Sequence, residues 1–225
     1  GIVDDITQRK RREQRLEVFN RILRHNLRNQ LDVIRSHAEV LADSTETDHA
    51  DRIIASVDEL AAIGAEARET DRIMSMGEQT TEINISETVQ KTVRSVERND
   101  MELELTTEIP TTKPLITNET ALQIAIESAL ENALEHADST VTVAVENQLE
   151  KSIVTIADDG PGIPDEQLVP IETGTETKLR HGRGLGLWQL RWSVDKLNGE
   201  LSFDTTDGTT IHITVPDQRD SSRGD

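Results

Sequence analysis

The sequence contains no cysteine, and this absence excludes several kinds of chemistry. Without cysteine the chain has no disulfide framework, no thiolate nucleophile and no cysteine metal site. No apolar run approaches the roughly 20 residues of a membrane-spanning helix, and no signal peptide is recognisable. We therefore expect a soluble cytoplasmic fragment that makes no contact with a membrane.

Basic and aromatic residues are also scarce. The chain has 24 lysines and arginines against 43 aspartates and glutamates, a net charge of −19, and only six lysines. Nucleic acid and anionic membranes repel such a surface, so we expect neither as a partner. A lysine-poor acidic surface is typical of proteins from salt-loving archaea, and an ordinary acidic cytosolic protein is the alternative.

The first 77 residues show the apolar spacing of paired helices. Apolar residues recur at intervals of three and four positions within two segments, which are joined by the turn-forming stretch DSTETD at 43–48. The two predicted seams are Leu16, Phe19, Leu23, Leu27, Leu31, Ile34, Ala38 and Leu41, then Ile53, Val57, Leu60, Gly64, Ala67 and Met74. A two-helix hairpin cannot bury both faces alone, so residues 16–77 predict a homodimer that closes a four-helix bundle.

Residues 78–217 follow a different pattern, in which short alternating strands mix with amphipathic helices. The segments MELELTTEI, TVTVAVEN, SIVTIADD, ELSFDTT and TTIHITV alternate with period two, whereas 118–137 and 184–197 have helical spacing. This order predicts an α+β domain with a mixed, mostly antiparallel sheet packed on helices. We expect residues 218–225 to be disordered.

His25 lies on the predicted outer face of the first helix. At about 100° per residue, it points roughly 170° away from the mean direction of the apolar seam. Asn29 follows one turn later on the same face. A single exposed histidine is ordinarily a solvated side chain, so this helix alone does not indicate a function.

Three later stretches have residue types suited to a nucleotide. Asn132 lies on the helix ESALENALEHA, where its amide oxygen is either a suitable Mg²⁺ ligand or simply solvated. Asp158 ends a strand in DDGPGI, and its carboxylate can accept a hydrogen bond from an exocyclic amine. Gly160 and Gly162 permit a tight turn beside it, although a plain strand-ending turn has the same composition.

The stretch HGRGLGLW opens a helix, whose first amide groups attract phosphate. Its glycines, which permit close backbone approach, are Gly182, Gly184 and Gly186. A glycine triplet alone is a weak signal, and no parallel strand, turn and helix surround it as in a dinucleotide-binding fold.

In this order, the hairpin histidine, ENALEHA, DDGPGI and GRGLGL resemble the sensor histidine kinases of two-component signalling, with a GHKL-type ATP-binding domain. The resemblance covers about residues 16–216. It implies a dimeric four-helix bundle followed by an α/β-sandwich domain over 78–217. It also implies that His25 accepts phosphate, Asn132 binds magnesium and Asp158 binds adenine. The pair Gly160 and Gly162 and the triplet Gly182, Gly184 and Gly186 would lie along the nucleotide.

The resemblance further implies that His25 is phosphorylated from ATP and Mg²⁺ and passes the phosphoryl group to an aspartate of a response-regulator receiver domain. His136 stands where the family has an aromatic ring. Lys178 and Arg180 lie in the expected lid at about residues 172–181, where they either reach the γ-phosphate or are solvated charges. Residues 1–15 resemble the end of a PAS sensor domain and its signalling helix. We therefore expect a missing upstream sensor.

Several positions depart from the family pattern. Asn26 replaces the usual acidic residue after the phospho-acceptor, and Asn29 matches a position thought to orient water for dephosphorylation. A degenerate kinase that acts as a response-regulator phosphatase or nucleotide-binding scaffold is therefore the alternative. Ser128 replaces the catalytic glutamate of related ATPases, which disfavours a free-standing ATPase. Glu135 replaces a lysine, and the lid lacks phenylalanines, with Ile171 the nearest apolar residue.

Overall fold

The computed structural model describes residues 23, 27–41, 48–77, 79–96, 103–173 and 185–219. They fall into two compact units, and the first change of unit along the chain occurs between Ser75 and Met76. The first unit contains helix α1 at 27–41 and helix α2 at Asp48–Ser75. The helical prediction for the described parts of 16–77 agrees with these bounds.

The buried stripe of each helix differs in part from the predicted seam. In α1 the half-buried positions are Leu27, Gln30, Ile34, His37 and Leu41, whereas Leu31 and Ala38 are exposed. In α2 the stripe runs through Ile53, Ser56, Leu60, Ile63, Ala67, Thr70, Ile73 and Met74, and Val57 is 49% exposed. The predicted seam, which was based on apolar residues, did not include Ser56. Its burial is tolerated because its hydroxyl donates a hydrogen bond to the Arg52 carbonyl at 2.9 Å.

The second unit alternates short strands with helices. Its elements are β1 Thr81–Ile83, α3 Ile85–Val96, β2 Glu104–Glu108, β3 Leu115–Thr117, α4 Glu119–His136, β4 Thr140–Asn147, β5 Lys151–Asp158, α5 Asp165–Thr173, α6 Leu185–Lys196, β6 Glu200–Asp204 and β7 Thr209–Pro216. Sequence patterning missed α5, which contains Pro170, because a proline inside a short segment argues against a helix.

Five strands form one sheet in the order β2-β4-β5-β7-β6. The β2–β4 pair is parallel and the other three pairs are antiparallel. Strands β1 and β3 form a separate antiparallel pair. The prediction of a mixed, mostly antiparallel sheet packed on helices is therefore confirmed.

One face of the sheet is buried and the other is partly exposed, as period-two alternation requires. The buried side chains of the three central strands are Val141, Val143, Val145, Ser152, Val154, Ile156, Asp158, Thr209, Ile211, Ile213 and Val215. Direct pairing across the strands places these side chains on the same face. Helix α4 packs against β5 and α3. The core therefore lies between the sheet and these helices.

Candidate nucleotide-binding site

The site begins with a polar residue at the end of an apolar row. Asp158 is the last residue of β5 and is only 6% exposed, on the same face as Ile156. It lies directly opposite Val141 of β4 and Thr209 of β7. The fold therefore places a carboxylate at the edge of the apolar core, on the side of the sheet that faces the helices.

The Asp158 carboxylate is held by donors from two segments. Its Oδ1 accepts a hydrogen bond from the Gly160 amide at 3.0 Å, and the backbone amide and hydroxyl of Thr209 also donate to it. Burial raises the pKa of Asp158 above its ordinary value, while these hydrogen bonds and the nearby His136 act in the opposite direction. A carboxylate has about four acceptor positions, so a ligand amine can still donate to it.

Steric constraints explain why glycines occupy the positions around Asp158. A Cβ on Gly160 would overlap the carbonyl oxygen of His136, so the end of α4 can approach this turn only at a glycine. Gly162 has φ of 78° and Gly208 has φ of 89°, a region that favours glycine. A Cβ on Gly208 would also overlap the carbonyl oxygen of Asp158. The tight turn expected from DDGPGI is present.

Helix α4 brings an amide to the same unit. Asn118 caps its N-terminus by accepting the Ala121 amide at 3.0 Å, and Asn132 lies in the last turns, half-buried. The Nδ2 atom of Asn132 is buried and has no hydrogen-bond partner in the described part of the chain. An unmet buried donor costs about 1–3 kcal/mol, so this atom suits a bound acceptor such as a phosphate oxygen.

The residues present fit a magnesium ion that is held mainly by a nucleotide. Among the described residues there is no group of three His, Cys, Asp or Glu side chains that could hold a metal ion by itself. Asn132 supplies one amide oxygen. Magnesium is commonly bound through one or two protein oxygens together with phosphates and water, and this donor set matches that pattern.

Helix α6 begins within the glycine-rich stretch HGRGLGLW. Gly186 is its second residue, and a Cβ there would meet open space. Its role therefore differs from that of Gly160, because none of the described residues comes close enough to require a glycine at this position. Space next to a helix N-terminus suits an anionic ligand. Behind it, the buried rings of Trp188 and Trp192 pack with centroids 5.6 Å apart.

The fold brings together five of the predicted site residues, namely Asn132, His136, Asp158, Gly160 and Gly162. Asn29 lies in α1 of the first unit and is exposed. Six predicted residues lie outside the described ones: His25, Asn26, Lys178, Arg180, Gly182 and Gly184. Ile171 is buried in α5.

Sequence reasoning missed two residues of this site, Thr209 and Gly208. Thr209 occupies an inward position of β7, in a row that continues with Ile211 and Ile213. A polar residue in an apolar row was a detectable signal. Its partner was not detectable, because the pairing of Thr209 with Asp158 depends on strand register across 51 residues.

Comparison with known proteins agrees with this geometry. Residues 117–219 match the family model described as histidine kinase-, DNA gyrase B- and HSP90-like ATPase. This range runs from the start of α4 to beyond β7 and includes every site residue of the second unit. No curated protein matches the chain.

Solved structures with a similar fold include three histidine kinases. The Acinetobacter baumannii histidine kinase AdeS is 15% identical with a TM-score of 0.66, over 87% of this chain and 98% of that one. The mycobacterial sensor histidine kinase MprB is 24% identical, with a TM-score of 0.50 over 61% and 97% of the two chains. The catalytic domain of histidine kinase ThkA is 21% identical, with a TM-score of 0.53 over 62% and 96%.

Residues 117–219 thus match an ATPase family model that includes the histidine kinases. The fold of the chain is similar to that of solved histidine kinases, and the resemblance to this family is confirmed over the matched residues 117–219. Across the described residues, no helix combines the length and apolar character needed to span a membrane.

Proposed function

We propose that this chain is the core of a sensor histidine kinase that phosphorylates His25 from ATP and Mg²⁺, then passes the phosphoryl group to an aspartate of a response-regulator receiver domain. The observation that carries the proposal is the buried carboxylate of Asp158, held in the same unit as the unpaired amide nitrogen of Asn132. An ATP site needs an acceptor for the adenine amine at one end and a group that binds magnesium and phosphate at the other. Asp158 can serve the first end and Asn132 the second.

In this proposal the adenine end is formed by β5 and β7. Asp158 accepts a hydrogen bond from the exocyclic amine of adenine, and Thr209 keeps the carboxylate oriented. Gly160 and Gly162 keep the turn close to the base, and His136 lies beside the carboxylate in place of an aromatic ring.

The triphosphate end is formed by α4 and the start of α6. The Asn132 amide oxygen holds magnesium, and its Nδ2 donates to a phosphate oxygen. Magnesium supplies neutralisation of the triphosphate charge when bound. Gly182, Gly184 and Gly186 allow the α6 amides to approach the phosphates, and Lys178 and Arg180 contact the γ-phosphate.

At the reacting end, the neutral imidazole of His25 attacks the γ-phosphorus in line. A nitrogen–phosphorus bond forms while the bond from that phosphorus to the bridging oxygen breaks, and ADP leaves with the electron pair. Asn26 holds the imidazole tautomer. Ser128, one turn before Asn132, is buried and is no base, so water is not activated there.

The proposed assembly is a cytoplasmic homodimer that makes no contact with nucleic acid or, in this fragment, with a membrane. Residues 1–15 would be a signalling helix from a PAS sensor, 16–77 the dimerisation and phosphotransfer hairpin and 78–217 the ATP-binding domain. Residues 218–225 would be a tail, whose first two residues, Gln218 and Arg219, hydrogen-bond to the carbonyls of Ile116 and Pro114. Support for the dimer comes from exposed apolar side chains on α1 and α2, with Leu31 at 57% and Ile54 at 59%.

A degenerate kinase is the second candidate. The exposed amide of Asn29 on α1 favours it, because an amide can orient water for dephosphorylating a partner. In this alternative the chain binds nucleotide and a response regulator as a phosphatase or scaffold, and His25 receives no phosphate.

Incubation with γ-labelled ATP and magnesium in high salt separates the two candidates. We expect acid-labile label on the native chain and on the control His37→Gln, which replaces a histidine of α1. His25→Gln and Asn132→Ala should carry none. Nucleotide binding without any label would overturn the autokinase proposal and leave the phosphatase or scaffold.

A further inference from the structure

Asp159, the residue after Asp158, has no role in the site as described so far, yet its carboxylate is the most heavily hydrogen-bonded one described. Its Oδ1 accepts the backbone amides of Asp138, Ser139 and Thr140 at 3.1, 2.9 and 2.9 Å. Its Oδ2 accepts the Ser139 hydroxyl at 2.5 Å. Although Asp159 is exposed, all four bonds reach a single turn.

That turn directly follows the C-terminus of α4. The Asp159 amide donates back to the Thr140 carbonyl at 3.4 Å, and Gly160 packs on the carbonyl of His136. Residues 136–140 and 158–160 are therefore joined through side chain, backbone and packing. The hydrogen bonds favour the charged form and hold the pKa of Asp159 well below its ordinary value, so the carboxylate stays ionised at neutral pH.

The two segments joined in this way carry the two ends of the proposed ATP site. Asn132 lies one turn before His136 on the rigid helix α4, and Asp158 ends β5. We propose that Asp159 is a positioning residue that fixes the separation of the Asn132 amide from the Asp158 carboxylate, so that one nucleotide reaches both. This inference rests on the proposed function.

The expected effect falls on ligand binding more than on folding. Exposed polar bonds contribute little to stability in water, because solvent replaces them. A displacement of about 1 Å between two binding groups, in contrast, reduces activity by on the order of a hundredfold. Loss of the Asp159 hydrogen bonds should therefore weaken the binding of a ligand that contacts both Asn132 and Asp158.

The chain offers a matched set of variants. Asp159→Ala removes all four bonds. Asp159→Asn keeps an oxygen for the three amides, and its Nδ2 can donate to the Ser139 hydroxyl, which can also accept. Asp138→Ala removes a charge from the same turn but leaves every bond to Asp159, because the Asp138 bond comes from its backbone.

The measurement is calorimetric titration of ATP in high salt, with magnesium and with chelator. We expect magnesium to strengthen ATP binding to the native chain. In Asp159→Ala, ATP with magnesium should bind about tenfold more weakly, and the gain from magnesium should fall to about twofold or less. Asp159→Asn and Asp138→Ala should stay within about twofold of the native chain.

Unchanged ATP binding in Asp159→Ala, an unchanged gain from magnesium, or failure of Asp159→Asn to restore binding would each overturn the inference. If thermal melting shows that Asp159→Ala is unfolded, Ser139→Ala replaces it. It removes one bond, and about threefold weaker ATP binding is expected. A native chain that binds no ATP contradicts the proposed function itself, whereas normal native binding that the variants leave unchanged contradicts only this role of Asp159.

Discussion

Thr209 lies directly opposite Asp158 across the β5–β7 pair, and hydrogen bonding from Thr209 lowers the pKa of the Asp158 carboxylate against the effect of burial. Thr209 is 2% exposed, so both partners lie at the end of the apolar core. A buried acid that must receive a ligand amine needs its other oxygen positions occupied by fixed donors. This pair meets that requirement with one side chain from each strand.

Removal of the Thr209 hydroxyl should weaken nucleotide binding. A hydrogen bond to a charged group is worth about 1.5–3 kcal/mol, so Thr209→Val should reduce ATP affinity by about tenfold or more. Thr209→Ser keeps the hydroxyl and should bind nearly as well as the native chain. The control Thr210→Val changes the adjacent residue, which points to the opposite face. Equal ATP affinity in Thr209→Val and the native chain would show that this bond does not orient Asp158 for the ligand.

The Asp158 carboxylate should make stability depend on pH with a defined sign. Burial raises its pKa in the folded chain above the ordinary 3.8, so the folded state binds the proton more tightly. Stability is then lost as pH rises from 3.8 through the raised pKa, and the penalty is complete above it. Asp158→Asn should therefore gain stability relative to the native chain as pH rises, while losing ATP binding.

Urea unfolding of both chains at several pH values in high salt tests this sign. The expected result is a difference in unfolding free energy that grows in favour of Asp158→Asn from acid to neutral pH. A difference that stays constant, or that grows in favour of the native chain, would mean that burial does not dominate the pKa of Asp158.

Two glycines should respond differently to the same substitution. Gly160→Ala places a methyl group on the His136 carbonyl and should destabilise the fold by about 1–3 kcal/mol. Gly186→Ala, with open space at that position, should leave the unfolding free energy within about 1 kcal/mol of native, because alanine is the better helix former. Thermal melting measures both. Equal destabilisation by the two variants would contradict the close approach of α4 to the DDGPGI turn.

The exposed apolar positions of the hairpin should control assembly. Leu31 is 57% exposed, and Leu31→Glu should convert the proposed dimer to monomer because it puts a charge into an apolar contact. Ser36→Glu, an exposed polar position of the same helix, should remain dimeric. Light scattering after size exclusion distinguishes the two. A dimeric Leu31→Glu chain would place the dimer interface elsewhere.

The helices and strands were predictable where the signal is local. Period-two alternation predicted β4, β5 and β7, and helical spacing predicted α4. Helix α5 was missed because Pro170 suppresses the local signal. The α2 stripe was misplaced at Val57 because Ser56, bonded to its own helix backbone, is buried in its place.

The sequence by itself determined the class of fold and the order of the motifs, including the amide of Asn132, the carboxylate of Asp158 and the glycines that follow it. These are local properties, set by periodicity and by residues that permit tight turns. Only the tertiary structure decided that Thr209 meets Asp158, that His136 packs on Gly160, and that Asp159 binds the turn after α4. These contacts join residues 19 or more positions apart, and strand register and helix packing, which create them, are non-local.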